Sequence, residues 1–153
     1  MKATLLNLGL KVKAYFSQLL ILFFAFVAPI KALLFLCGLV IFADLVLGIM
    51  KSKKQGKKIT SKGLYETVRK MFIYQLTIIS FYFMDVTLLG EFISVFIDIP
   101  LFLTKIVTAG LVSVEVFSIH ENIYLLWKID IPARVMDILA KFFSFKKKFD
   151  KYE

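Results

Sequence analysis

The sequence predicts an all-α membrane protein: three to four transmembrane helices plus a C-terminal amphipathic helix. Three observations carry this expectation. The chain of 153 residues is 59% hydrophobic and contains 17 Phe. Its mean hydropathy is +0.81, whereas an ordinary soluble domain is only about 45–50% apolar. The apolar residues gather into four runs, and lysine blocks separate or follow them. The length suits a single membrane domain.

The runs cover about residues 15–28, 32–50, 68–89 and 101–127. A spanning helix needs roughly 20 residues at about 1.5 Å each. The second, third and fourth runs meet this. The first ends at Pro29 and is short, so residues 1–31 form an N-terminal helix that spans with residues 5–12 as a lead-in or lies partly in the interface. Lys2, Lys11 and Lys13 before SQLLILFFAFVA fit a signal peptide. Cleavage after Ala28 fails, since it would put Phe26 at −3 and Pro29 at +1. The segment is read as retained.

The second run, LLFLCGLVIFADLVLGIM, stops abruptly at KSKKQGKKITSKGLYETVRK. Residues 51–67 are therefore a basic connector. Asp44 lies inside the run, where an ionisable group costs roughly 2.5–3.5 kcal/mol and is a functional candidate by default. Lysine placement sets the topology. Lys51, Lys53, Lys54, Lys57, Lys58 and Lys62 fall between the second and third runs, and Lys141, Lys146, Lys147, Lys148 and Lys151 follow the fourth. The opposite connectors hold Lys31, or Glu91 and Asp98. With four spans, all lysine-rich pieces share one side, and the positive-inside rule makes that side cytoplasmic, with both termini inside. Without the first span the N-terminus lies outside. The C-terminus is cytoplasmic either way.

After the fourth run, Asp130-Ile131-Pro132 reads as a helix start. In the basic tail, 130–153, Val135, Ile138, Leu139 and Phe142 share a face, away from Arg134, Asp137 and Lys141. Such a helix suits a membrane surface, or else packs on a partner.

The net charge of +9 asks for an anionic partner. Because the lysines adjoin apolar runs, that partner is the lipid surface. No nucleic-acid-reading motif is present. The single Cys37 excludes a disulfide framework, and the single His120 has no second histidine near it. Gly56-Lys57 lacks the glycine and the Ser/Thr of a phosphate loop, and His120-Glu121 lacks the following His of a zinc helix. No nucleophile set is present. Neither a metal nor a cofactor is expected, nor an enzyme.

The polar residues inside the runs are the remaining candidates. Thr108, Glu115, Ser118 and Asn122 fall on one stripe of the fourth run at spacings of seven, three and four. Glu121 lies off it. Asp44 and Gly48 share a face. Asp85 could meet Lys105 near the outer end, and Arg69 and Lys70 could face Glu121 or lipid phosphates near the inner end. These groups either satisfy one another within a bundle or between subunits, or line an aqueous path. Ala109, Gly110 and Ser113 permit close helix approach.

In order and spacing, several stretches resemble the phage lysis and toxin-secretion holins. They are Asp44-x-x-x-Gly48, then Gly56-Lys57, Ser61, Gly63 and Arg69-Lys70, then Asp85, then Glu115 with Ser118-Ile119-His120-Glu121-Asn122, and finally Ile131-Pro132. The resemblance covers about residues 32–141, and Ser-Ile-x-Glu-Asn is its most specific piece. Leu45 and Leu47 depart from the Tyr and Thr often found there. The resemblance implies a homo-oligomer that opens a lesion, so that a cell-wall hydrolase or toxin crosses, a partner only indirectly. It implies oligomer- or pore-facing roles for Asp44, Gly48, Asp85, Glu115, Ser118, Glu121 and Asn122. Lys51, Lys53, Lys54, Lys57, Lys58, Lys62, Arg69 and Lys70 are expected on the anionic lipid surface. Two other readings stay open. One is a non-lytic scaffold of a secretion or defence system that recruits a cytoplasmic partner. The other is a small ion-channel or transporter subunit.

Overall fold

Three helices, α2 (Lys31–Lys54), α3 (Ser61–Met84) and α5 (Phe102–Trp127), pack together, and the rest of the chain leads into or away from them. The computed structural model describes residues 2–149, with side chains described for 11–141. The side chain of Phe142 and the tail lysines beyond it lie outside the described residues, as does that of Lys2.

Helix α1 runs Lys2–Val27. Pro29 has no N–H to donate and disfavours helical backbone before it, so residues Ala28–Ile30 tighten into a single 3₁₀ turn. Helix α2, Lys31–Lys54, follows. Lys51, Lys53 and Lys54 occupy its last turn, where cations complement the exposed carbonyls. The connector turns at Gly56, whose φ of +68° suits a residue without Cβ. Helix α3, Ser61–Met84, begins at Thr60, whose hydroxyl accepts a hydrogen bond from Gly63 N at 3.4 Å.

At Asp85–Leu89 the helix widens into a π turn before the short α4, Gly90–Ser94. Gly90 is required here, because a Cβ would collide with the Asp85 carbonyl. Helix α5 spans Phe102–Trp127 between two left-handed residues, Leu101 and Lys128. Lys128 N donates to Tyr124 O at 2.8 Å, closing the helix end. Helix α6, Ile131–Phe149, starts where Ala133 N donates to Asp130 Oδ1 at 3.2 Å. No strand occurs among the described residues.

Three helical stretches are long and apolar enough to cross a membrane: Lys11–Lys54, in which α1 runs on into α2, then Ser61–Ser94, and Phe102–Trp127. The protein is an all-α, multi-pass membrane protein. Its interior and exterior invert the order of a soluble bundle. Phe35, Phe42, Phe72, Phe83 and Phe117 point outward, while Asp85, Thr104, Thr108, Glu115 and Asn122 are buried. Lipid solvates the former, and neighbouring helices must satisfy the latter. The apolar core is small: Val27, Ile30, Cys37, Ile41, Ile78 and Tyr82. Every side chain from Lys11 to Ala25 is exposed, and among the described side chains α1 meets the bundle at its end, where the Phe26 ring lies 5.0 Å from that of Tyr82 and 6.2 Å from that of Phe83.

Candidate functional site: a charged cluster inside the bundle

Each packed helix sends at least one polar side chain to a common point in the lysine-rich half of the bundle. From α2 comes Asp44, from α3 Lys70, and from α5 Glu115 and Asn122. Lys70 Nζ donates to Glu115 Oε2 at 2.6 Å and to Asp44 Oδ2 at 3.5 Å. Asn122 Nδ2 donates to Asp44 Oδ1 at 2.9 Å. Glu115 is 1% exposed and Asn122 4%, so neither is answered by bulk water. At 1.5 Å per residue, Asp44 lies roughly 15 Å up α2 from its lysine-rich end.

Two carboxylates face one ammonium, so the ionised set carries one negative charge in excess. Glu115 Oε1 and Asn122 Oδ1 are buried without a partner at good hydrogen-bond geometry among the described residues, although the Tyr74 hydroxyl of α3 also interacts with Glu115. Unsatisfied polar groups in low dielectric are costly. The cluster therefore ties three helices together while remaining incompletely compensated, which suits a contact that is made and broken rather than a permanent staple. No group of His, Cys, Asp and Glu that could hold a metal ion exists among the described residues.

A second buried carboxylate stands near the other end. Asp85 Oδ2 accepts hydrogen bonds from both the backbone N–H (2.7 Å) and the hydroxyl of Thr104, in the first turn of α5. A carboxylate at a helix N-terminus is stabilised by unpaired amides and by the dipole. Thr108 hydroxyl donates to Thr104 O at 2.7 Å. At the inner end of α5, Lys54 ammonium donates to Leu126 O. Gln75 joins α3 to α2 by donating to Leu34 O at 2.9 Å.

The residues singled out in the sequence are thus spread over several places. Asp44, Glu115 and Asn122 converge, with Ser118 half-buried beside them, whereas Glu121 is exposed. Gly48 lines a cleft below the cluster. Asp85 takes Thr104 as partner rather than Lys105, which is exposed. Lys70 turns inward to the cluster instead of outward to lipid, and Arg69 pairs with Glu66 at 2.6 Å on the surface. Lys51, Lys53, Lys57, Lys58 and Lys62 remain at or near the surface of the inner end. Sequence reasoning did not single out Thr104. It also grouped Lys70 with the surface lysines, because the third apolar run was read from Val68. Helix α3 begins a full two turns earlier, at Ser61, which carries Lys70 well inside it.

The pieces that converge, Asp44, Lys70 and the Glu115–Asn122 stretch, are those that resembled one family. The sequence signature of the bacteriophage holin family matches residues 16–144. The chain belongs to that family. No curated protein and no solved structure matches it. Of its most specific sequence pattern, this holin-family chain buries Asn122 against Asp44 of α2, while Glu121 is exposed.

Proposed function

We propose that this protein accumulates in the bacterial cytoplasmic membrane as a homo-oligomer and opens a lesion through which a cell-wall hydrolase or toxin passes. The observation that carries the reading is the Asp44–Lys70–Glu115–Asn122 cluster, held closed within one subunit yet one charge out of balance. Parting α5 from α2 and α3 exposes four polar groups that could line a water-filled opening between subunits. Membrane association relies on small residues and interhelical hydrogen bonds. The outer face of α5 offers Ala109, Gly110 and Ser113, all exposed, with open space at Gly110. The unpacked, apolar α1 offers a second lateral surface. Loss of membrane potential biases such a switch by about 2.3 kcal/mol per charge moved through 100 mV.

The lysine blocks orient the chain with its C-terminus in the cytoplasm. The exposed apolar residues of α6, Val135, Met136, Ile138 and Leu139, then rest on the inner leaflet beside basic Arg134 and Lys141. Purified full-length protein in liposomes loaded with dyes from small ions to protein-sized dextrans tests the reading. Release of the large dextrans above a threshold protein density is expected. Ion-selective conductance without dextran release would support a channel instead. Stable insertion with no leakage at any density would leave only the scaffold.

A further inference from the structure

At the lysine-rich end of the bundle, a cleft of about 280 Å³ opens between the last turns of α2 and the first turns of α3. Lys51 and Lys58 stand on its walls, with the hydroxyls of Ser52 and Thr60 and the apolar side chains of Ile49 and Leu64. Neither lysine is in an ion pair among the described residues. Thr60 Oγ1 accepts from Gly63 N, which leaves its own proton to donate. We propose that this cleft binds a phosphate group, carried by an anionic membrane lipid or free in the cytoplasm.

Four features support the assignment. The cleft sits where the apolar run of α2 gives way to lysines, the depth of the inner-leaflet headgroups, and basic pockets there take anionic headgroups. Two lysines and the hydroxyl residues Ser52, Thr60 and Thr67 line one volume, a donor set that suits the several acceptor oxygens of a phosphate. The first turn of α3 adds its favourable N-terminal field. Space is open at Gly48, where an added Cβ meets nothing within 4 Å. The one acid on the wall, Asp44, is engaged through both oxygens by Asn122 and Lys70, and the two wall lysines outnumber it. The distribution of polar and apolar wall fits a headgroup with the start of its glycerol chain.

Short-chain phosphatidylglycerol titrated into the full-length protein in neutral detergent tests this. Lys51→Gln with Lys58→Gln should weaken binding about tenfold or more, a loss of at least about 1.4 kcal/mol, because two charge-assisted bonds are removed. Lys53→Gln with Lys57→Gln removes equal charge outside the cleft and should change binding much less. Gly48→Trp keeps every lysine but fills the space, and should also weaken binding, with folding checked by a circular dichroism melt. A parallel titration with inorganic phosphate separates the sources. Saturable binding with the same lysine dependence points to free phosphate, and binding by the lipid alone points to a headgroup. Equal losses in the two double variants, or none in Lys51→Gln with Lys58→Gln, would overturn the proposal in favour of diffuse surface charge. The inference stands apart from lesion formation, which the dextran assay addresses separately.

Discussion

The two buried carboxylate sites of this molecule are answered by different kinds of donor: amide and hydroxyl at Asp85, an ammonium shared between two acids at Asp44 and Glu115. Near the outer end, Asp85 meets the first turn of α5 and receives two hydrogen bonds from Thr104, one from the backbone. The helix end gains a cap, and one oxygen of the carboxylate gains two fixed donors from a single residue. In the lysine-rich half, Asp44 and Glu115 compete for one lysine, and Glu115 Oε1 and Asn122 Oδ1 lack a well-aligned hydrogen-bond partner among the described residues. The first arrangement joins α3 to α5 and suits permanence. The second joins three helices and suits a contact that opens. A buried acid inside a membrane bundle is thus not one kind of object, and what distinguishes the two sites is the balance of donors.

The comparison can be broken by removing the cation. Lys70→Met leaves two carboxylates facing one another, one of them fully buried. Breaking a buried pair costs about 3–5 kcal/mol, so this should be the largest loss of stability, read by denaturant titration in detergent. Asp85→Ala ranks next, at about 1.5–3 kcal/mol for a charged hydrogen-bond acceptor. Because Asp85 serves the cap and not the switch, that variant should unfold more easily while inserted protein still leaks at the wild-type density. Lys54→Met sharpens the scale from below. It removes only the cation over Leu126 O at the end of α5, an effect of about 0.3–1 kcal/mol. A cost for Lys54→Met equal to that of Lys70→Met would mean that the cluster is not special.

The long helices and the basic tail were legible because apolar length and lysine blocks are properties of the chain in one dimension. The stripe of Thr108, Glu115 and Asn122 was legible because helical spacing fixes a face. Which partner each side chain meets was not. Asp85 and Lys105 stand at similar depth by residue count, yet depth says nothing of direction. Lys105 points out, and the preceding residue, Thr104, points in. Lys70 was obscured by the polar first turns of α3, which continue the helix below the apolar run and so move the lysine from its apparent edge into the bundle. The widening at Asp85–Leu89 carries no strong local signal beyond Gly90, whose need is visible only once the Asp85 carbonyl is in place.

The excess negative charge in the cluster is the central claim, and it makes a prediction of sign. Glu115→Gln leaves Lys70 and Asp44 balanced, and the amide still accepts from Lys70. The closed bundle should become more stable, so dextran release should need a higher protein density than wild type. Lys70→Gln strips the only cation, so release should begin at a lower density. Leakage thresholds measured side by side for these two variants and wild type, in liposomes of one composition with insertion matched, test the account most directly. Opposite shifts around wild type are the expected result. Shifts in the same direction, or identical thresholds for all three, would contradict it.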